Sequence, residues 1–357
     1  MINYDETIIE DEISDRIISK SVFSIGEGTA IGEFKVTAKL SEGAQATMYI
    51  AEKGGKRYAV KAYGRSWQPA KALRTFFASN IHDNIMPVIE SGREFGMYYE
   101  IYPYYENGTL EDYVAKNGGV SADFIRKYVV PSINEGLHYL HTNKIVHCDI
   151  KPANLYMDPC GDDWRIIIGD LGSCRIMDSD GMVRSSLEGT VNYSVPVEEF
   201  YGVKTFPKEY DYASLGITIY RLYTNSHLMD GLSIDERARL WNRELAIPVN
   251  DIKIRNLLGG LINKDFSSVW GYDELLRWSE SGWNSDKKRR PVGKRKQEML
   301  PLVFGKVDGE LLRVNTIHEL TEACRNNWDL AVTVIRRFDT LHFIRRIDGE
   351  LYERIQK

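Results

Sequence analysis

Hydrophobic and polar positions change rhythm twice along the chain. From about Phe34, "FKVTAKL", "ATMYIAEK" and "RYAVKAY" are short alternating or β-branched runs separated by glycine-containing turns, which predicts consecutive antiparallel strands. "KALRTFFASNI" has a helical pattern, and "MYYEIYPYY" reads as another strand. After "ENG" the period lengthens. Ile125, Val129, Ile133, Leu137 and Leu140 fall on one helical stripe, and Pro131 within it marks either a kink or a helix start. "DYASLGITIYRLY" is largely apolar and predicts a buried helix. A small β-rich part thus precedes a larger helical part, which implies two lobes with a cleft between them.

The ends differ in texture. Residues 1–30 are acidic and weakly periodic, as expected of a tail. Residues 284–300 contain "KKRRPVGKRK", a basic run with Pro and Gly that reads as a solvated linker. Beyond it, residues 301–357 form a candidate accessory module. "LVFGKVDGELLRV" predicts a hairpin turning at Asp308-Gly309, and Thr316 with Glu319 makes a capping box. Further helices would carry Trp328, Leu330, Val334, Phe338, Leu341 and Phe343.

Composition narrows the classes. The 357 residues are 43% hydrophobic with net charge −5, an ordinary globular balance with no overall pull towards nucleic acid or anionic lipid. No apolar run approaches the roughly 18–20 residues of a membrane helix. The acidic N-terminus is unlike a secretory or transit signal. The four cysteines, Cys148, Cys160, Cys174 and Cys324, have neither metal-ligand spacing nor the density of a disulfide framework. The expectation is a reduced, cytoplasmic protein.

Candidate chemistry lies in three places. In "LSEGAQATMYIAE", small residues surround Gly43 in a turn between strands. Backbone N–H groups can cradle a phosphate there only if side chains stay clear; taken alone, most such turns bind nothing. "YAVK" ends at Lys61, whose ammonium needs an anion if buried and only water if it sits on an edge. "VHCDIKPAN" holds His147, Asp149, Lys151 and Asn154, and "IIIGDLG" follows with Asp170. Asp149 can take or orient a hydroxyl proton, Lys151 can neutralise a transferring phosphoryl group, and Asn154 and Asp170 offer oxygens to Mg²⁺.

In this order and spacing, the motifs resemble those of eukaryotic-type Ser/Thr protein kinases of a bacterial-like kind, from about Phe34 to Trp283. The resemblance implies an α+β fold, with a kinase domain over residues 31–283 divided into a β-rich N-lobe (about 31–102) and a helical C-lobe (about 103–283), followed by the small C-terminal module. It implies ATP and Mg²⁺ as cofactors and protein hydroxyls as substrates; "KPAN" favours Ser/Thr. Ser41 to Met48 would be the glycine-rich loop, with Ser41 and Ala46 replacing its first and third glycines. Lys61 would meet the α/β-phosphates, Asp149 and Lys151 would serve catalysis, and Asn154 and Asp170 would hold the metal. Ala59, Tyr102, Pro103, Tyr105 and Tyr156 would surround the adenine, with Tyr102 closing the pocket behind it and Pro103 offering a carbonyl. Asp211 would anchor the catalytic loop from beneath.

Three positions depart from the family. No acidic residue lies between Lys61 and Asp83, so the helix glutamate that pairs with the lysine is missing. Its place falls around Lys71 to Arg74. Cys148 replaces the Arg that receives an activation-loop phosphate, so phosphorylation of Ser185, Ser186 or Thr190 would not switch the site in the usual way. Val269 stands where an Arg pairs with a glutamate near Glu198. An active kinase is the leading reading, and an ATP-binding pseudokinase acting as a scaffold is the alternative. Partner docking on residues 301–357 is a further expectation.

Overall fold

The computed structural model describes residues 25–43, 45–64, 68–186, 190, 192–200, 203–242, 246–280, 302–307, 310–314, 316–327 and 331. The chain divides into two compact units, Met1–Glu199 with Val203–Trp283, and Phe200–Gly202 with Asn284–Lys357.

The first unit begins with a six-stranded antiparallel sheet. Its strands are β1 (Ala30–Ile31), β2 (Phe34–Glu42), β3 (Ala46–Lys53), β4 (Lys56–Tyr63), β5 (Glu90–Glu94) and β6 (Met97–Pro103), in the order β1-β2-β3-β4-β6-β5. Gly54 and Gly55, both at positive φ, join β3 to β4, the backbone a two-residue hairpin turn needs. Strand alternation sorts the side chains onto two faces. Phe34, Val36, Tyr49, Ala51, Val60, Ala62, Tyr99 and Ile101 pack into one core. The other face follows from the register: Ser41 is opposite Met48, Met48 opposite Lys61, Lys61 opposite Glu100, and Ala59 opposite Tyr102. The predicted nucleotide-contacting residues of this lobe therefore share a face. Helix α1 (Lys71–Ser79) buries Leu73 and Phe77.

The rest of the unit is mostly helical. Helix α2 (Leu110–Asn117) starts at a Thr109–Asp112 capping box and ends at Gly118 in the left-handed region, so both ends have their stray backbone groups met. A short α3 (Ala122–Phe124) runs through a π-helical turn, Ile125–Val129, into α4 (Val130–Thr142). Pro131 lies in the first turn of α4. It has no N–H to give, and the wider turn before it keeps the chain helical. Ile125, Val129, Ile133, Leu137 and Leu140 are fully buried, as their spacing predicts.

Between α4 and the next long helix the chain lays down the cleft. β7 (Ile145–Val146) pairs with β10 (Arg175–Ile176), and β8 (Leu155–Cys160) with β9 (Asp163–Ile168). β11 (Met182–Ser185), β12 (Glu198–Phe200) and β13 (Val203–Pro207) form a sheet in the order β11-β13-β12. Helix α5 (Glu209–Thr224) is buried without a break from Tyr210 to Tyr220. Helices α6 (Ile234–Trp241), α7 (Ile252–Leu261) and α8 (Tyr272–Glu280) follow. Val269 is buried in the same core, an apolar occupant where an ion pair was expected to be lost.

In the second unit, β14 (Leu302–Val307) pairs with β15 (Glu310–Val314), placing Val307 opposite Glu310 as the hairpin reading requires. In α9 (Ile317–Asn326), the Thr316 hydroxyl accepts from the Glu319 N–H at 3.1 Å. The acidic tail up to residue 24, the basic run, the hairpin tip, Trp328, Leu330 and the helices expected beyond residue 331 lie outside the described residues.

Candidate active site

A cavity of about 700 Å³ opens within the first unit, within the size range of cofactor pockets. Ser41, Gly43, Ala46, Met48, Ala59, Lys61, Tyr102, Pro103 and Tyr105 line it from the sheet and the loop after it, and Asp149, Lys151, Asn154, Tyr156 and Asp170 from the other side. Every residue singled out in the sequence for nucleotide, metal or catalysis is on that wall.

The lower rim is held by one buried carboxylate. Asp211, on α5 and fully buried, accepts the backbone N–H groups of His147 and Cys148, each at 2.8 Å, and meets His141 Nε2 at 2.8 Å. These bonds stabilise Cys148 at φ 70°, a region that β-carbons disfavour. His147, also fully buried, bonds the Gly169 carbonyl through Nε2 at 2.9 Å, and its Nδ1 accepts from the Asp149 N–H at 3.3 Å. A carbonyl only accepts, so the ring proton sits on Nε2. His147 thus ties the Asp149 loop to the strand that delivers Asp170.

Asp149 is held from three directions. Its Oδ2 accepts from Asn154 Nδ2 at 3.0 Å and meets Lys151 Nζ at 2.7 Å; its Oδ1 accepts the Thr190 hydroxyl at 2.8 Å. The same Thr190 oxygen accepts from Lys151 at 2.7 Å. With the Asn154 amide nitrogen committed to Asp149, its amide oxygen is the atom left for a cation. Across the cavity, Lys61 forms an ion pair with Asp170. Burial pushes the Asp170 carboxyl up, but the Lys61 ammonium, helped by His147 and Lys151, outweighs it and holds the group below the usual aspartate range.

One end of the cavity is aromatic. Tyr102 is buried, with its hydroxyl turned onto Glu100 at 2.5 Å, and it packs with Met86 and Ile167. Tyr156 lies against Tyr105 with ring centroids 5.6 Å apart. Burial pushes both phenols up to about 12, so they stay neutral near pH 7. Gly169 makes the room: a β-carbon there would come within 2.6 Å of the Tyr156 ring. At the tip of the β2–β3 hairpin, the Gly43 N–H donates to the Ala46 carbonyl at 2.9 Å.

The chain matches the protein kinase domain over residues 34–272. It belongs to the protein kinase family. Among the proteins it resembles are the Pelle-like serine/threonine-protein kinase pik-1 of Caenorhabditis elegans, 32% identical over 63% of this chain and 49% of the worm protein, and the serine/threonine-protein kinase PrkC of Bacillus subtilis, 26% identical over 57% of this chain and 32% of the bacterial protein. The serine/threonine-protein kinase GRIK1 of Arabidopsis thaliana is 28% identical over 66% of this chain and 63% of its own length. The chain spans half or less of the first two relatives.

Two features of this kinase site escaped the sequence reading. Thr190 was a candidate phosphoacceptor, whereas its hydroxyl bridges Asp149 and Lys151; only the short "GT" before the segment's end hinted at that. Glu100 stands inside "MYYEIYPYY", where an acid in an otherwise apolar strand is itself a signal. As for Cys148, burial and the Asp211 carboxylate push its thiol well above the ordinary range, leaving it protonated and a poor nucleophile.

Proposed function

We propose that the chain transfers the γ-phosphoryl group of ATP, with Mg²⁺, to Ser or Thr hydroxyls of proteins. The observation that carries this is the Asp149–Lys151–Thr190–Asn154 network facing the Lys61–Asp170 pair across one cavity. The donor set fits the cation: Asp170 offers a carboxylate and Asn154 an amide oxygen, the hard ligands Mg²⁺ prefers. Among the described residues no group of three or more His, Cys, Asp or Glu could hold a metal alone, which suits an ion that completes its shell with phosphate and water. MgATP supplies the phosphoryl group and the positive charge that offsets it.

The chain's own residues do the rest. Asp149 orients the incoming hydroxyl and takes up its proton. Lys151, 2.7 Å from Asp149, places a positive charge where negative charge develops. Thr190 fixes the distance between these two. Lys61 is poised for the α/β-phosphates, Gly43 and its small neighbours for close backbone approach, and Pro103 and Tyr105 for the edge of the base. Tyr102 seals the back, and Tyr156 supplies the floor.

In this reading the enzyme is of the kind without the phosphate-receiving Arg, and its α1 lacks the usual glutamate. Residues 31–283 carry the reaction, 284–300 link, and 301–357 form an accessory module on which a partner docks. The test couples binding to turnover: thermal stabilisation by MgATP together with transfer of labelled phosphate to a generic basic protein. Both are expected. Stabilisation without transfer across many substrates would favour the scaffold reading.

A further inference from the structure

In this family a helix glutamate holds the strand lysine, and α1 has none. Yet a carboxylate does stand opposite Lys61. Glu100 is its register partner on β6, which places their β-carbons within about 5.5 Å on one face. Glu100 is only 5% exposed, and a carboxylate is tolerated there only if hydrogen bonds replace its water. Three phenols do so. Tyr98 donates to Oε1 at 3.2 Å, Tyr102 to Oε2 at 2.5 Å, and Tyr63 also to Oε2.

Two of those rings each carry a cation. Lys61 Nζ lies 5.2 Å from the centre of the Tyr63 ring, and the Arg74 guanidinium 4.8 Å from that of Tyr98. Arg74 stands on α1 within the stretch where the family has its glutamate. Its Nε is buried and has no hydrogen-bond partner among the described residues. A phenol that donates to a carboxylate is polarised towards phenolate, and its ring face then attracts a cation more strongly. One buried anion is thereby linked through two rings to the strand lysine and to the helix.

We propose that Glu100 is the positioning carboxylate of Lys61, acting through Tyr63 on the lysine and through Tyr98 on Arg74 of α1. The family's helix-to-lysine link is kept with its charges exchanged: the helix brings the cation and the strand brings the acid. This rests on the kinase reading, which gives Asp170 to the cation and so requires a second anion to keep Lys61 in place.

The experiment uses the full chain and two variants, Glu100→Gln and Arg74→Glu/Glu100→Gln, each measured for melting temperature, MgATP affinity by fluorescence titration, and phosphate transfer. Glu100→Gln keeps the shape and an acceptor but removes the charge. Its kcat is expected to fall at least about tenfold, more than KM for the protein substrate changes, with a melting temperature near that of the parent. Returning an acid to the helix in the double variant is expected to recover most of that loss. Parent-like kcat in Glu100→Gln overturns the proposal. So does a loss that follows the melting temperature and is not relieved by Arg74→Glu, which would make the tyrosine cluster purely structural. If the parent itself transfers no phosphate, the kinase reading fails separately, and MgATP affinity decides for Glu100: a loss of about fivefold or more supports it, and equal affinity overturns it.

Discussion

Gly169 and Asp170 are adjacent, and each is constrained for its own reason. A methyl group at 169 meets the Tyr156 ring, and overpacking of this kind costs about 1–3 kcal/mol unless something moves. The ring lines the cavity, so its displacement changes the cavity's shape. Gly169→Ala is therefore expected to weaken MgATP binding by about tenfold, read by titration, with little change in melting temperature. Asp170 carries a pH signature. Lys61 holds its carboxyl below the ordinary value near 3.8, so the pair stabilises the fold above that value and the contribution is lost as pH falls through the lowered one. The stability gap between the parent and Asp170→Asn should narrow as pH falls below the ordinary value near 3.8, measured by thermal melts. A gap independent of pH would mean that the pair contributes nothing. At this scale the sequence was readable wherever a motif fixes spacing: Asp149, Lys151, Asn154 and Asp170 are where their order places them. For Thr190 and Glu100 it gives only a hint, a "GT" and an acid in an apolar strand, because the partners of a hydroxyl bridge and a tyrosine-clad acid depend on register and loop path.

At the scale of elements, the stretch between Asp170 and α5 carries a short antiparallel ladder. β11 pairs with β13 from Met182 opposite Pro207 to Ser185 opposite Lys204, and Arg184 is bonded to both Asp178 and Asp180. In the proposed reading Cys148 offers no guanidinium to a phosphate, and β11 and β13 pair without one. Exhaustive protein-phosphatase treatment is expected to leave the transfer rate within about twofold, whereas kinases that need a phosphate–Arg pair lose most activity. A large loss would show that a phosphate receiver lies elsewhere. Strands and buried helices were legible from period and apolarity, as β2–β4 and α5 illustrate. The π-helical turn before Pro131 was not, because the proline says only that a donor is missing, and the surrounding packing decides whether the helix bends, starts or widens.

At the scale of the molecule, the sequence rhythm anticipates a β-rich lobe followed by a helical one, and the family match covers residues 34–272. A cleft between the two parts and Asp211 beneath its loop are expected from the sequence; the bond from His147 to the Gly169 carbonyl, which ties the Asp149 loop to the segment carrying Asp170, has no linear pattern to announce it. Among the described residues no helix is long and apolar enough to cross a membrane. The account stands or falls on Asp149 as the group that handles the proton of the accepting hydroxyl. The most direct measurement is transfer of labelled γ-phosphate by the Asp149→Asn variant beside its parent, with MgATP binding followed in parallel. The account predicts retained binding and transfer reduced by at least about a thousandfold; undiminished transfer by Asp149→Asn would contradict it.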